Sequence, residues 1–186
     1  MLGTIAIPRG HFECPYPFVE SLVKFLLTKP DVEVMFKEGA LVDDNRNSLS
    51  RMFKGDWLIF LDTDMTFFPE DIYHLINYKE DIVGALYFKG QPPHEPLAYR
   101  NDKPIDNYIS GSAFEVDKMA LGFTKINRRV IEAVGENPFQ RIGTHGEDAS
   151  FCIRVKEKGF KVICDTSIRP KHIRYRYIGE NDRIIM

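Results

Sequence analysis

The sequence predicts an α/β domain with a mostly parallel central sheet, helices on both faces and a C-terminal half of mixed strand direction. Three observations carry this. Strand-like and helix-like segments alternate through the first 88 residues, as in a parallel sheet with crossover helices. Trp57-Leu58-Ile59-Phe60-Leu61 is apolar without alternation, as a strand covered on both faces is. After Phe88 the alternation dissolves into prolines and short strand-like pieces.

Thr4-Ile5-Ala6-Ile7 is an apolar run stopped by Pro8-Arg9-Gly10, which reads as a first strand ending in a turn. Pro17 suits a first helical turn, and Phe18, Leu22, Phe25 and Leu26 recur at helical spacing before Lys29-Pro30 closes the segment. Val32, Val34 and Phe36 alternate as a second strand. Asp43 or Asp44 caps a second helix with Leu49, Met52 and Phe53 inward, and Gly55 ends it. The 57–61 strand follows. A helix then begins near Pro69 with Ile72, Leu75 and Ile76 inward, and a buried strand covers 81–88. Residues 89–107 form a loop with Pro92, Pro93, Pro96 and Pro104, and 111–129 carries strand pieces broken by Gly122. A last helix over 147–158 has Gly159 as its stop, and 160–164 makes a closing strand.

A length of 186 residues fits one domain with a sizeable core. With 25 basic against 27 acidic side chains, no global field gathers nucleic acid or anionic lipid, so binding is local. Cys14, Cys152 and Cys164 make neither a disulfide framework nor a zinc spacing, which points to a reducing compartment. The longest run without polar side chains falls far short of the roughly 18 residues a membrane span needs, and Met1-Leu2 leads straight into structure-like sequence. The expected location is cytoplasmic.

Asp62 and Asp64 end a buried strand at i and i+2, on one side of the sheet edge where ligands of such sheets sit. Two carboxylates there need a counter-charge. A hard divalent cation relieves their repulsion and keeps positions for phosphate oxygens, whereas the plainer alternative has Asp62 capping a turn and Asp64 solvated. Glu147-Asp148 opens the last helix after Gly143-Thr144-His145-Gly146. The pair either sits at the positive helix end or supplies a general base aimed into a cleft. His172 follows the last strand, where a neutral imidazole completes a metal shell if the chain returns to the aspartates, or else decorates the surface. Around and after it, Arg169, Lys171, Arg174 and Arg176 interleave with Tyr175 and Tyr177, a solvated basic tail, a pyrophosphate clamp or a stretch that binds nucleic acid by charge and stacking.

In this order the pieces resemble the Rossmann-like GT-A fold of nucleotide-sugar-dependent glycosyltransferases of the inverting type, over residues 1–173. Ile5-Ala6-Ile7-Pro8-Arg9 looks like the first strand and nucleotide-facing turn, Asn45-Arg46-Asn47 like the arginine-asparagine pair beneath the nucleotide, and 57–65 like the strand with its DxD motif. Residues 146–154 resemble the Glu-Asp segment that supplies the base, with His172 where a metal-binding histidine follows.

The resemblance implies a donor half over 1–88, an acceptor and catalytic half over 89–173 and a basic tail over 174–186. It implies a UDP- or GDP-sugar donor held by Ile7, Pro8, Arg9, Arg46, Asn47, Asp62 and Asp64. It also implies Mn2+ or Mg2+ on Asp62, Asp64 and His172, and a catalytic pair in which Asp148 takes the acceptor proton and Glu147 is structural. The acceptor is not named by any motif.

Three other readings use the same residues. Asp62-Thr63-Asp64-Met65-Thr66 fits the DxDxT signature of haloacid dehalogenase-like phosphatases, although that motif normally lies on the first strand of its domain. A nucleotidyltransferase would bring a glycine- and basic-rich loop, of which Pro8-Arg9-Gly10 is a poor version. The third is a non-catalytic nucleotide-sugar-binding protein.

Overall fold

The structure, a computed structural model, describes residues 2–10, 14–90 and 92–173. The first half runs β1 (Gly3–Arg9), α1 (Tyr16–Leu27), β2 (Val32–Glu38), α2 (Val42–Met52), β3 (Trp57–Leu61), β4 (Met65–Thr66), α3 (Pro69–Asn77) and β5 (Ile82–Ala85). The second runs β6 (Ala98–Arg100), β7 (Lys103–Pro104), β8 (Ala113–Val116), β9 (Lys118–Met119), β10 (Phe123–Asn127), α4 (Arg128–Val134), α5 (Glu147–Glu157), β11 (Val162–Asp165) and β12 (Lys171–His172).

The main sheet has seven strands in the order β2-β1-β3-β10-β5-β11-β8. β1 is parallel to β2 and β3, and β11 is parallel to β5. β10 lies antiparallel between β3 and β5, and β8 is antiparallel to β11. Alternation over the first 88 residues reads as four successive parallel strands. The structure keeps their direction but inserts a strand from the second half, so both halves share one sheet.

Successive strand side chains point to opposite faces, and the core divides accordingly. Ile5, Ile7, Ile59 and Leu61 pack against Phe18, Leu22 and Phe25 of α1 and Ile72 and Leu75 of α3. Ala6, Leu58 and Phe60 pack on the other face against Leu49 of α2, Val130 of α4 and Phe151 and Val155 of α5. Helices thus cover both faces, as predicted.

Several boundaries differ from expectation. β1 runs through Pro8 to Arg9, because its pairing with β3 ends at Ala6 and the missing Pro8 N–H is not needed by that ladder. Leu26 and Met52 are exposed, since the inward stripes of their helices end at Phe25 and Leu49. Leu41 occupies the N-cap of α2, with Asp43 and Asp44 inside its first turn. The expected loop at 89–107 contains β6 and β7, which form a three-stranded sheet with β9. Helix α4 falls partly in a stretch expected to be strand-like. No helix among the described residues is long and apolar enough to cross a membrane. The basic tail at 174–186 lies outside the described residues.

Candidate active site

The buried strand β3 ends at Leu61, and the Asp62 N–H donates to the Gly122 carbonyl at 2.9 Å, which carries the β3–β10 ladder one residue further. Asp62 is thereby fixed at the carboxyl end of the sheet. Its carboxylate accepts from Arg46 Nη2, with Oδ1 at 3.0 Å and Oδ2 at 3.3 Å. Arg46 comes from α2 and is only 1% exposed, its guanidinium 4.8 Å from the Phe60 ring centroid. The same guanidinium faces α5: Nε lies 3.5 Å from Asp148 Oδ1 and 3.8 Å from Glu147 Oε1. One buried cation therefore holds three carboxylates from β3 and α5.

The electrostatics follow from this crowding. Burial opposes the charge on Arg46, but Asp62, Asp148 and Glu147 outweigh it and keep the guanidinium protonated. Burial pushes the Asp148 carboxyl up to about 7, with Glu147 and Asp62 adding to the rise and Arg46 opposing it. Burial likewise raises Asp62 above the ordinary carboxylate range against the pull of Arg46, with Asp64 contributing. Asp148 Oδ2 accepts the Leu121 N–H at 3.2 Å, while the buried Oδ1 has no hydrogen-bond partner. A carboxyl whose pKa lies near 7 is matched to the task of a general base.

The turn after Asp62 is closed by the Met65 N–H donating to the Asp62 carbonyl. β4 then pairs with β12, placing His172 opposite Met65. His172 Nε2 lies 3.0 Å from Asp64 Oδ2, and Nδ1 lies 2.9 Å from the Phe88 carbonyl. When Nδ1 carries the proton it donates to that carbonyl and turns the Nε2 lone pair toward Asp64. Either a second ring proton or a cation reconciles the two. A histidine whose other nitrogen is tied to a backbone carbonyl is the usual arrangement for a metal ligand, so Asp64 and His172 fit a divalent ion. Among the described residues no three His, Cys, Asp or Glu side chains converge as a metal shell. Asp62, Asp64 and His172 lie near enough for Asp64 and His172 to act on Asp62 electrostatically, but the Asp62 carboxylate turns to Arg46.

The remaining expected residues are dispersed. Ile7 and Pro8 are buried at the end of β1, and Arg9 is partly exposed, 3.9 Å from Glu38. Asn47 Oδ1 accepts the Phe139 N–H at 2.9 Å, and Asn45 Nδ2 donates to the carbonyls of Arg9 and Gly39. Arg46 and Asn47 thus lie behind the carboxylates, bonded to the protein's own groups.

Two residues were missed from sequence. Tyr87 Oη accepts the Gly122 N–H at 2.9 Å, and its ring meets His172 edge-on at 5.4 Å. Gly122 admits this approach because a Cβ there would lie 2.3 Å from Asp62 Oδ2 and 2.8 Å from Tyr87 Oη. The end of the 81–88 strand and the break at Gly122 were the available signals, but neither says what it faces. Two cavities open beside the cluster, one of about 600 Å³ at Tyr87 and His172 and one of about 370 Å³ at Glu147 and Asp148.

The sequence model described as Glycosyl transferase family 2 matches residues 13–132. The chain belongs to glycosyltransferase family 2. The matched stretch contains Asp62 and Asp64 and stops before Glu147, Asp148 and His172. No curated protein sequence matches the chain. Among solved structures, A197 from STIV superposes with a TM-score of 0.70 at 23% identity, covering 94% of this chain and 87% of that one. GalNAc-T7 with UDP, GalNAc and Mn2+ superposes with a TM-score of 0.55 at 18% identity, covering 88% of this chain and 36% of that one. At these identities the likeness is one of fold, and it agrees with the GT-A arrangement of this glycosyltransferase.

Proposed function

We propose that this glycosyltransferase moves a sugar from a nucleoside-diphosphate sugar to an acceptor hydroxyl with inversion, in a metal-dependent reaction. The carrying observation is Arg46, which ties the DxD aspartate of β3 and the candidate base of α5 to one guanidinium. Asp148 takes the proton of the acceptor hydroxyl while the hydroxyl oxygen forms a bond to the anomeric carbon. The bond from that carbon to the diphosphate oxygen breaks on the opposite face, and its electron pair leaves with the nucleoside diphosphate. Asp64 and His172 would hold Mn2+ or Mg2+, which supplies positive charge to the leaving diphosphate. Arg46 opposes the rise of the Asp62 pKa and holds its carboxyl in place, and Glu147 adds the negative charge that helps keep Asp148 basic.

The donor half extends over 1–88, with Ile7, Pro8 and Arg9 at its nucleotide edge, and the acceptor and catalytic half over 89–173, within one domain. The UDP and Mn2+ of the GalNAc-T7 structure support a nucleotide donor and a divalent ion. Three free thiols suit a cytoplasmic setting. The phosphatase reading is disfavoured because its nucleophile would be Asp62, a carboxylate engaged with Arg46.

The test is a thermal-shift panel of nucleoside diphosphates and their sugar conjugates with Mn2+ or chelator. A ligand at a hundredfold excess over Kd adds about 2.7 kcal/mol of apparent stability. The expected result is a Mn2+-dependent shift with one nucleotide family, lost in Asp64→Ala and kept in Asp148→Asn, which loses transfer. Near-normal turnover by Asp148→Asn would refute the base.

A further inference from the structure

The two cavities carry opposite charge. The larger has Arg169, Lys171 and Lys89 in its wall, Lys89 being paired with Glu95 outside it, and, among the described lining residues, no carboxylate. The smaller has Asp102, Glu147 and Asp148 in its wall, against one cation among the described residues, Lys118, which is bonded to Asp102. With that pair cancelled, Glu147 and Asp148 share the single charge of the buried Arg46 with Asp62, which leaves the smaller cavity negative. The rest of its wall includes the apolar side chains of Leu97 and Met119 and the ring of Tyr99.

If Asp148 is the base, as proposed above, the attacking hydroxyl must enter this cavity, so its lining describes the acceptor. A phosphate or carboxylate would face two carboxylates whose shared cation, Arg46, is already outnumbered, with no unpaired cation among the described lining residues, and like charges brought together cost several kcal/mol of specificity. Ionised carboxylates only accept hydrogen bonds, so the occupant must supply donors. The Lys118 ammonium is engaged with Asp102 and the Leu121 N–H with Asp148, which leaves little to receive the carbonyls of an extended peptide. The apolar patch with Tyr99 calls for a C–H face on the same molecule. A sugar ring has that face and an edge of hydroxyl donors. We propose that the acceptor is an uncharged saccharide seated against Tyr99 with its hydroxyls toward Asp102, Glu147 and Asp148.

The experiment follows nucleoside diphosphate release by the full chain with a nucleotide sugar and Mn2+. Release is compared without acceptor, with methyl glycosides of the common hexoses, pentoses and N-acetylhexosamines, with their uronates and 6-phosphates, and with serine and threonine peptides. A neutral glycoside should raise release about tenfold or more over transfer to water, and its anionic counterpart should reach about a tenth of that or less. Tyr99→Ala should raise the acceptor KM about tenfold, more than the donor KM, and Tyr99→Phe should recover it to within about twofold. If the alanine variant does not fold, the wild-type panel decides alone. Faster release with an anionic acceptor or with a peptide alone overturns the proposal, as does release that no neutral glycoside accelerates. Those results leave the transferase reading standing, whereas a chain that neither binds nor hydrolyses any nucleotide sugar overturns both.

Discussion

Replacing Arg46 with methionine removes the guanidinium while filling most of its volume beside Phe60, so the effect is electrostatic rather than a cavity. Asp62 at 3.0 Å, Asp148 at 3.5 Å and Glu147 at 3.8 Å lose their shared counter-charge, and their side chains are 31%, 25% and 14% exposed. Removing one partner of a buried ion pair costs about 3–5 kcal/mol. For a domain of this size that lowers Tm by roughly 10 °C.

The loss should depend on pH. Arg46 opposes the rise of the Asp62 and Asp148 pKa values, so its removal carries them higher still. A carboxylate whose folded pKa lies above its unfolded value binds protons more tightly when folded, so stability is regained as pH falls through the folded pKa toward about 4. For Asp148 that window starts above the wild-type value of about 7. Urea unfolding at pH 8 and pH 5.5 reads the difference: a deficit of about 3–5 kcal/mol at pH 8 should shrink clearly at pH 5.5. An equal deficit at both pH values, or one below about 1 kcal/mol at pH 8, would refute the single-cation account.

Two further outcomes follow from the same geometry. Because Asp148 must be ionised to take a proton, wild-type kcat/KM should fall below pH about 7, and Asp148→Asn should lose that limb with a rate loss of about 10²–10⁴; a flat wild-type profile between pH 5.5 and 8 would count against it. Gly122→Ala drives a methyl toward Asp62 Oδ2 and Tyr87 Oη, and this overpacking should cost about 1–3 kcal/mol and weaken Mn2+-dependent donor binding. Unchanged calorimetric Kd and stability in that variant would mean the two side chains are free to move apart.

The first half of the fold was legible because its signals are local. The covered strand at 57–61, the stripe at Phe18, Leu22 and Phe25 and the proline at the start of α3 each express a backbone period or a fixed φ that neighbours in sequence reveal. The second half was not. β6, β7 and β9 are two or three residues long and exist by pairing with each other. The place of β10 between β3 and β5 depends on segments far apart in the chain.

The site divides in the same way. Sequence alone singled out Asp62, Asp64, Glu147, Asp148 and His172, because acids at a strand end, acids at a helix start and a histidine after the last strand are types and positions with chemical meaning. Which of them meet was decided by tertiary structure. Arg46 gathers Asp62, Glu147 and Asp148, the β4–β12 pairing brings His172 to Asp64, and Tyr87 enters only because Gly122 lets it approach. Charge partners are chosen by distance in a low-dielectric interior, and those distances are set by the packing of α2, β3 and α5, which no spacing along the chain records.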